Sequence, residues 1–237
     1  MLSKLLHPCL HSILPLTCIL CDEACKSDVN LCQTCIADLP YIKQACQICS
    51  HPLNHNHLIC GECLKSPPVY NCLIAPFYYQ YPVDFIVTAI KFHDKLAYTK
   101  SLGLLLAQTI QQRVANLPEI IIPIPLHPNR LKKRGYNQAL EIARPISRRL
   151  GIPIDYQSCI RLKATLPQTG LKTRQRQQNI KNAFHIQRDF AAKHVALLDD
   201  VVTTGSTVTE LAKLLKAYGV ESIQVWCCAR TILTQCI

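Results

Sequence analysis

Long apolar runs, charge and acidic residues are all scarce in this sequence of 237 residues. No uncharged apolar stretch approaches the roughly 18 residues that a membrane-spanning helix requires, so we predict no membrane span. Only 17% of the residues are charged and 49% are hydrophobic, which excludes a disordered chain and allows a sizeable core. Against 15 acidic residues stand 26 Lys and Arg, a formal net charge of +11. This excess favours phosphate-bearing partners: nucleotides, sugar phosphates or nucleic acid.

Charge and cysteine are divided unevenly along the chain, and this division predicts two domains. Residues 1–72 carry four basic and five acidic residues, whereas residues 73–237 carry 22 basic and ten acidic residues. Eleven of the 15 cysteines lie in the first 72 residues. The length also suits one medium domain with a smaller one. We therefore predict a cysteine-rich module over residues 1–72 and a larger, basic domain over residues 73–237.

Four CxxC pairs recur at even spacing in the first module. Their first members are 14 residues apart, and the pairs are Cys18/Cys21, Cys32/Cys35, Cys46/Cys49 and Cys60/Cys63. Tetrahedral Zn²⁺ needs two such pairs, so the pattern predicts two closed, structural Cys₄ zinc sites. Neither a disulfide framework nor metal-free buried thiols would require this even register, and regular CxxC pairs are typical of a reducing compartment.

The spacing alone permits two pairing schemes for these cysteines. Sequential pairing joins the first two pairs and the last two, whereas interleaved pairing crosses them. We favour sequential pairing because its shorter loops cost less closure entropy. Cys25 is a candidate substitute ligand, while His51, His55 and His57 are interpreted as solvated loop histidines because four cysteine pairs already suffice.

The start of the chain is mildly apolar but is interrupted by histidine and proline. No small-residue cleavage site follows it, so a short helix lying against the next module is favoured over a signal peptide. We expect a cytoplasmic protein.

A buried strand, two acids and a hydroxyl-rich turn follow one another in residues 195–207. The apolar run at residues 195–198 predicts a parallel strand that ends at Asp199 and Asp200. Apolar residues at helical spacing then predict a helix, which Gly219 ends, and a further strand over residues 222–228. The turn between the strand and the helix consists of Thr203, Thr204, Gly205, Ser206 and Thr207.

This order of elements suits a sugar that carries a phosphate. A helix N-terminus after a parallel strand offers unpaired N–H groups to an anion, and carboxylates at the strand end can accept hydrogen bonds from ribose hydroxyls. An ordinary helix cap or a solvated turn would explain each part separately, but not all parts after one buried strand. The pattern GxxxxGK[ST] is absent, so this is not a P-loop.

Three further stretches complete a family pattern. Residues 119–130 form an apolar run with a proline-rich exit, residues 134–138 read RGYNQ, and residues 161–184 are basic without a single acid. Together with residues 195–207, they resemble type I phosphoribosyltransferases with their motif for 5-phosphoribosyl 1-pyrophosphate (PRPP). The whole chain resembles the ComF family, in which a double zinc ribbon precedes a phosphoribosyltransferase domain. The resemblance implies an α/β fold with a Rossmann-like, mostly parallel sheet and a hood.

The resemblance also implies roles for individual residues. Main-chain N–H groups around Leu126 and His127 would bind pyrophosphate with Arg130 nearby, and Arg134 would clamp a phosphate or else be a surface arginine opening a helix over residues 136–150. Asp199 and Asp200 would be the catalytic acids that orient the ribose hydroxyls, with Mg²⁺ bridging those hydroxyls and the pyrophosphate. The phosphate itself would be bound by Thr203, Thr204, Gly205, Ser206 and Thr207.

Residues 161–184 would form the mobile hood, which excludes water from the reacting sugar while Lys172 and Arg174 counter the pyrophosphate charge. A solvated basic loop and a track for nucleic-acid phosphates are the other interpretations of this stretch.

At the level of function, the ComF resemblance implies a part in DNA uptake during natural transformation, with single-stranded DNA and competence proteins as partners. Two hypotheses stay open. In the first, the protein is a phosphoribosyltransferase that acts on an unknown nucleophile. In the second, it is a non-catalytic accessory that keeps the fold to bind PRPP or a DNA phosphate.

Overall fold

The computed structural model describes residues 16–25, 27–53, 58–163, 180–188 and 190–232. The predicted N-terminal helix lies outside these ranges, as do His55, His57 and the hood residues Lys172 and Arg174. Within them, no helix combines the length and the apolar character needed to cross a membrane.

The cysteine-rich module is built twice on the same plan. In each copy a short antiparallel bridge, Thr17 to Ala24 and later Ala45 to Pro52, encloses the first CxxC pair. In each copy the second pair opens a short helix, α1 (Gln33–Ala37) after Cys32 and α2 (Gly61–Lys65) after Cys60. The 14-residue period of the sequence therefore reflects a repeat of the backbone structure.

The larger part of the chain is built around a parallel sheet. Its strands are β1 (Cys72–Ile74), β2 (Phe77–Tyr78), β3 (Ile120–Pro123), β6 (His194–Val202) and β7 (Ser222–Arg230). The order is β1-β7-β6-β3, and β2 also pairs with β7 beyond the end of β1. Every one of these pairings is parallel. The predicted α/β fold with a mostly parallel sheet is confirmed.

Helices connect these strands and cover the sheet. They are α3 (Val83–Phe92), α4 (Ala97–Arg113), α5 (Pro128–Arg134), α6 (Gln138–Leu150) and α7 (Ser206–Ala217). Alternate residues of β6 enter two different cores: Ala196 and Leu198 join the core with α3, α4 and α6, whereas Leu197 joins the core with α7. Burial on both faces explains why the strand reads as a continuous apolar run.

The contact between α4 and α6 depends on a glycine. A Cβ atom at Gly103 would lie 2.4 Å from Cγ of Pro145 and 2.8 Å from the carbonyl oxygen of Ile142. Only a residue without a side chain lets α4 pass this close to α6.

The stretch predicted as a hood begins and ends in a separate antiparallel pair. Its strands are β4 (Cys159–Arg161) and β5 (Phe184–Ile186), with Arg161 opposite Phe184. The two ends of the stretch are thus held together beside the parallel sheet, while residues 164–179 lie outside the described ranges.

The cysteine-rich module packs along the β1–β2 edge of the sheet. The N–H of Leu73 donates to the carbonyl of Ile48, and the N–H of Ile42 donates to that of Pro76, both at 2.8 Å. Leu31 from the module also belongs to the core formed with α3, α4 and α6. The module and the sheet therefore share backbone hydrogen bonds and a hydrophobic core.

Three local predictions differ from the structure. Strand β6 continues to Val202, so Asp199 and Asp200 lie within the strand, because β7 pairs with it as far as Arg230. Helix α6 begins at Gln138 and not at residue 136, because Gly135 (φ 82°) ends α5 and Asn137 caps α6.

The third difference is His51, which is buried and not solvated. Its carbonyl accepts a hydrogen bond from the N–H of Cys46, the first cysteine of the third CxxC pair. This bond holds His51 within the cysteine-rich module. Burial lowers the pKa of His51, and the nearby positive charge of Arg230 lowers it further.

Candidate functional site

The eight cysteines of the CxxC pairs form two tetrahedral donor sets. The first cysteine set is Cys18, Cys21, Cys32 and Cys35, and the second is Cys46, Cys49, Cys60 and Cys63. Within each set all sulfur atoms lie within 4.8 Å of one another. This arrangement confirms sequential pairing, and Cys25 belongs to neither set.

The sulfur geometry fits Zn²⁺. Zn–S bonds of about 2.3 Å in a tetrahedron place the sulfur atoms about 3.8 Å apart. The distance from Cys21 Sγ to Cys32 Sγ is 3.7 Å, and that from Cys49 Sγ to Cys60 Sγ is also 3.7 Å. Four thiolates leave no open coordination position, so the expected role is structural.

A cavity of about 860 Å³ opens at the carboxyl ends of β3 and β6. The structure brings together in its wall eleven residues that the sequence predicted for catalysis or substrate binding. These are Leu126, His127, Arg130, Arg134, Asp199, Asp200, Thr203, Thr204, Gly205, Ser206 and Thr207. The two remaining predicted residues, Lys172 and Arg174, lie outside the described ranges.

The turn after β6 presents a helix N-terminus to this cavity. We call residues 203–207 the phosphate loop. Gly205 has φ +78°, and as N-cap of α7 it supplies no side-chain cap. The hydroxyls of Thr204 and Ser206 lie 2.8 Å apart, and the Ser206 N–H reaches the Thr204 hydroxyl only at 3.4 Å. Because the first turn of α7 is so weakly capped, its N–H groups and dipole suit an anion in the cavity.

The two carboxyl groups of the acid pair differ in acidity. Burial, and then the negative charge of Asp200, raise the pKa of Asp199 well above its ordinary value. Burial also opposes the ionisation of Asp200, but an ion pair with the Lys91 ammonium group outweighs it and lowers the pKa of Asp200. Asp199 is therefore the weaker acid of the two, and the carboxylate of Asp200 can accept hydrogen bonds from a diol.

The RGYNQ segment braces three walls of the cavity. The Tyr136 hydroxyl donates to the carbonyl of Ile90 next to Lys91, and the Asn137 side chain donates to the carbonyl of Ile124 after β3, at 3.0 Å. Gln138 donates to Asp200 Oδ1 at 3.4 Å and accepts from Arg134. Each side chain of the motif therefore has a partner that shapes the site.

The position of Arg134 contradicts the alternative that it opens the next helix and is compatible with a phosphate clamp. It is the last residue of α5, and its guanidinium lies over the ring of Phe92, 5.7 Å from the centroid. Half-buried at the cavity wall, it does not open the next helix. Its planar group can still meet a phosphate from this position.

Basic groups outnumber acids around the cavity. Among the described residues, five basic side chains line it: Lys91, Arg130, Lys133, Arg134 and Arg161. The acids are Asp94, Asp199 and Asp200. Arg161 is buried at the hood end of β4, where burial lowers the pKa of its guanidinium to about 10. The balance of charge favours a ligand that carries several negative charges.

Sequence reasoning missed several side chains of the cavity wall, among them Tyr79, Lys91 and Phe92. Lys91 is a basic residue in the last turn of α3, a common position that carries no functional signal by itself. Phe92 follows it and is strongly exposed although aromatic. The pairing of Lys91 with Asp200, together with the contacts of Tyr136 with Ile90 and of Arg134 with Phe92, distinguishes this helix end from an ordinary one.

Two known family models match the chain. The double zinc ribbon domain matches residues 9–64, and the phosphoribosyl transferase domain matches residues 137–232. Together with the two Cys₄ sets and the parallel sheet, these matches define a phosphoribosyltransferase-domain protein that carries a double zinc ribbon.

Curated relatives narrow this class. The DNA utilization protein YhgH of Escherichia coli O157:H7 is 36% identical over 207 residues, which cover 86% of this chain and 91% of the relative. Competence protein F of Haemophilus influenzae is 38% identical over 206 residues, which cover 84% of this chain and 88% of the relative. The chain belongs to the ComF family.

A solved structure, the purine phosphoribosyltransferase of Pyrococcus horikoshii, is also similar. It is 19% identical and covers 56% of this chain and 74% of its own, with a TM-score of 0.34. At this TM-score the likeness carries no argument about the chain.

Proposed function

We propose that this protein binds PRPP, or a related ribose 5-phosphate, together with Mg²⁺ in the cavity at the carboxyl ends of β3 and β6. The observation that carries the proposal is the meeting of two features in one wall. The N-terminus of α7, whose N-cap Gly205 has no capping side chain, suits a phosphate, and Asp199 and Asp200 lie in the preceding strand β6 and line the same cavity. Neither feature alone would select a phosphorylated sugar.

The geometry supports a definite placement of the ligand. The 5-phosphate would accept hydrogen bonds from the phosphate loop, residues 203–207. The ribose hydroxyls would donate hydrogen bonds to Asp200 and contact Asp199. The pyrophosphate would lie towards Leu126 and His127, where Arg130 and Arg161 bring positive charge. Mg²⁺ bound together with the ligand would neutralise part of the pyrophosphate charge.

If the protein turns PRPP over, a nucleophile replaces pyrophosphate at C1 of the ribose. Negative charge grows on the departing pyrophosphate while positive charge grows on the ring, so the protein acts by positioning and electrostatics. Arg130, Arg134 and Arg161 would stabilise the departing group, and the carboxylate of Asp200 would hold the ring in place.

The biological role that we propose is DNA uptake or use in the cytoplasm. Support comes from the names of the relatives, a competence protein and a DNA utilization protein. Single-stranded DNA and other competence proteins are the partners that this role requires.

A second candidate function is non-catalytic binding of PRPP or of a DNA phosphate. Helix α5 favours it, because its last turn consists of Lys132, Lys133 and Arg134, and Lys133 and Arg134 line the cavity. A row of basic residues leading into an anion site would also suit a nucleic-acid backbone.

Calorimetry and pyrophosphate release test the first candidate function against the second. The wild-type protein is expected to bind PRPP with Mg²⁺, and Asp199→Asn is expected to lose pyrophosphate release if turnover occurs. Asp94→Asn is the matched control, because Asp94 lines the same cavity but is exposed and apart from the acid pair. PRPP binding without release, with any candidate acceptor, would favour the accessory; absence of binding to both PRPP and ribose 5-phosphate would contradict the proposal.

A further inference from the structure

A buried arginine connects the second cysteine set with the phosphate loop. Arg230 is the last residue of β7 and is 5% exposed. Its Nε donates to the carbonyl of Cys49 at 3.2 Å, and its Nη1 donates to the carbonyls of Val202, at 3.0 Å, and Thr203. Cys49 is a ligand of the second cysteine set, and Thr203 is the first residue of the phosphate loop. One guanidinium group therefore touches both.

The surroundings of Arg230 make its partners important. All three contacts are carbonyl oxygens, and no carboxylate forms an ion pair with Arg230 among the described residues. A buried cation is costly unless hydrogen bonds satisfy it, so each carbonyl must stay in position. The rigid fork of the guanidinium then fixes where the chain leaves β6 and enters the phosphate loop.

A buried tyrosine also lies close to the phosphate loop. Tyr70 lies between α2 and β1 and is buried. Its hydroxyl is 4.0 Å from the position that a Cβ on Gly205 would occupy.

The first cysteine set has different neighbours. Cys18 belongs to the core that includes residues of α3, α4 and α6, and Cys32 and Cys35 pack against that core. No cysteine of either set lines the cavity itself, and the second set reaches the phosphate loop through the carbonyl of Cys49 and the guanidinium of Arg230. The two metal sites, although built alike, therefore stand in different relations to the ligand.

We propose that Arg230 is a positioning residue for the phosphate loop and that the second Cys₄ set is part of the scaffold of the ligand site. Loss of metal from the second set then weakens sugar-phosphate binding, whereas loss from the first set does not. The role rests on the proposed function, because the ligand that reports it is a ribose 5-phosphate. Its physical basis is preorganisation: when the carbonyl of Cys49 moves, Arg230 loses a partner and the phosphate loop loses its fixed path.

Arginine variants test the role of Arg230 directly. Arg230→Met is expected to weaken ribose 5-phosphate binding by about tenfold or more, the equivalent of losing one hydrogen bond to a charged group. Arg113→Met is the matched control, since Arg113 also donates to a carbonyl of the cysteine-rich module, that of Ile42 at 3.1 Å, but lies outside the cavity wall. Arg230→Lys should recover part of the affinity. Calorimetry should be carried out at a temperature below the unfolding midpoints of both variants. Equal affinities of Arg230→Met and Arg113→Met for ribose 5-phosphate would overturn the role.

Cysteine variants test the link to the metal. Cys63→Ser should remove zinc from the second set and Cys21→Ser from the first, which zinc analysis can verify. Hydrogen exchange of peptides spanning residues 201–207, recorded without ligand, should accelerate in Cys63→Ser and in Arg230→Met but not in Cys21→Ser. If Cys63→Ser does not fold, the hydrogen exchange of Arg230→Met is compared with that of Arg113→Met. Faster exchange in Arg230→Met alone would then support the coupling.

The exchange experiment needs no ligand, so it separates two failures. Unchanged exchange in Arg230→Met would overturn the coupling whatever the protein binds. Wild-type protein that binds no sugar phosphate, yet shows the accelerated exchange in the variants, would contradict the proposed function and leave the coupling supported.

Discussion

Asp199, Asp200 and Lys91 show how neighbouring groups acquire different roles from their contacts. Both acids lie within strand β6, but only Asp200 forms an ion pair with Lys91 and accepts from Gln138. Asp199 accepts instead from the N–H of Asp200, at 2.9 Å, and burial favours its neutral form. Holding a buried acid neutral costs stability at neutral pH, and functional sites commonly carry such costs.

We predict that Asp199→Asn stabilises the ligand-free protein, and more so at higher pH. An unfolded Asp ionises near about pH 3.9, whereas the raised folded pKa of Asp199 keeps its proton on. The contribution of Asp199 to the free energy of unfolding is therefore fully present below its unfolded pKa. It is lost as the pH rises through its folded pKa. Asn has no such proton. Thermal unfolding should show a larger gain at pH 8 than at pH 4; lower stability than wild type at pH 8 would contradict this account, and Asp94→Asn is the control.

We predict that Lys91→Met destabilises the protein by about 1–3 kcal/mol, because it leaves the Asp200 carboxylate without its cation. Lys95→Met, at an exposed lysine just beyond the same helix, should change the free energy of unfolding little. Urea unfolding at pH 7 measures both. The double variant Lys91→Met/Asp200→Asn should recover much of the loss, and additive losses in this cycle would show that the ion pair contributes nothing.

At the scale of elements, the strand-to-helix turn from β6 to α7 depends on backbone conformation more than on space. Gly205 has φ +78°, yet a Cβ there would meet its nearest neighbours at 3.9–4.0 Å, an ordinary contact distance. The glycine is thus required by the left-handed conformation of the turn. Gly103 is the opposite case, since α6 itself would overlap a side chain there.

We predict that Gly205→Ala lowers the free energy of unfolding by about 1–2 kcal/mol, the cost of a left-handed residue with a Cβ atom. Gly205→Asn should cost less, because asparagine tolerates this conformation. Chemical unfolding of the two variants beside wild type measures the difference. Equal losses for Ala and Asn would show that crowding, and not the dihedral angle, governs this position.

At the scale of the whole molecule, the two modules are joined into one structure. Leu31 of the cysteine-rich module is fully buried in the core that contains Leu102 of α4 and Ile142 of α6. Backbone hydrogen bonds along β1 and β2 and the contacts of Arg230 add to this interface. Proteins with a shared core tend to unfold in a single cooperative step.

We predict that Leu31→Ala lowers the stability of the entire protein by about 2–5 kcal/mol through the cavity it leaves. Leu64→Ala lies in the same module at a side chain that is 68% exposed, and it should have little effect. Calorimetry should record one transition for wild type that shifts as a unit in Leu31→Ala. Two separate transitions, with the α/β part unaffected, would contradict a shared core.

Local sequence predicted the parts of this protein whose residues are close together in the chain. The zinc ligands follow from CxxC spacing, and their pairing follows from the preference for short loops. The acid pair and the phosphate loop lie within one short segment, and their order along a βα unit determines where they meet. The burial of His51 escaped prediction, because loop histidines are usually solvated and only the packed module encloses this one.

The sequence by itself determined the two metal sites, the strand–helix–strand unit over residues 195–228 and the composition of the phosphate loop, because each depends on local spacing and periodicity. Only the tertiary structure decided that Lys91 and Gln138 hold Asp200, and that Arg230 joins Cys49 to the phosphate loop. Gln138 and Asp200 are 62 positions apart, and Arg230 and Cys49 are 181 apart. Contacts across such separations leave no periodic trace in the chain; they arise when parallel strands and their crossover helices bring distant segments to one edge of the sheet.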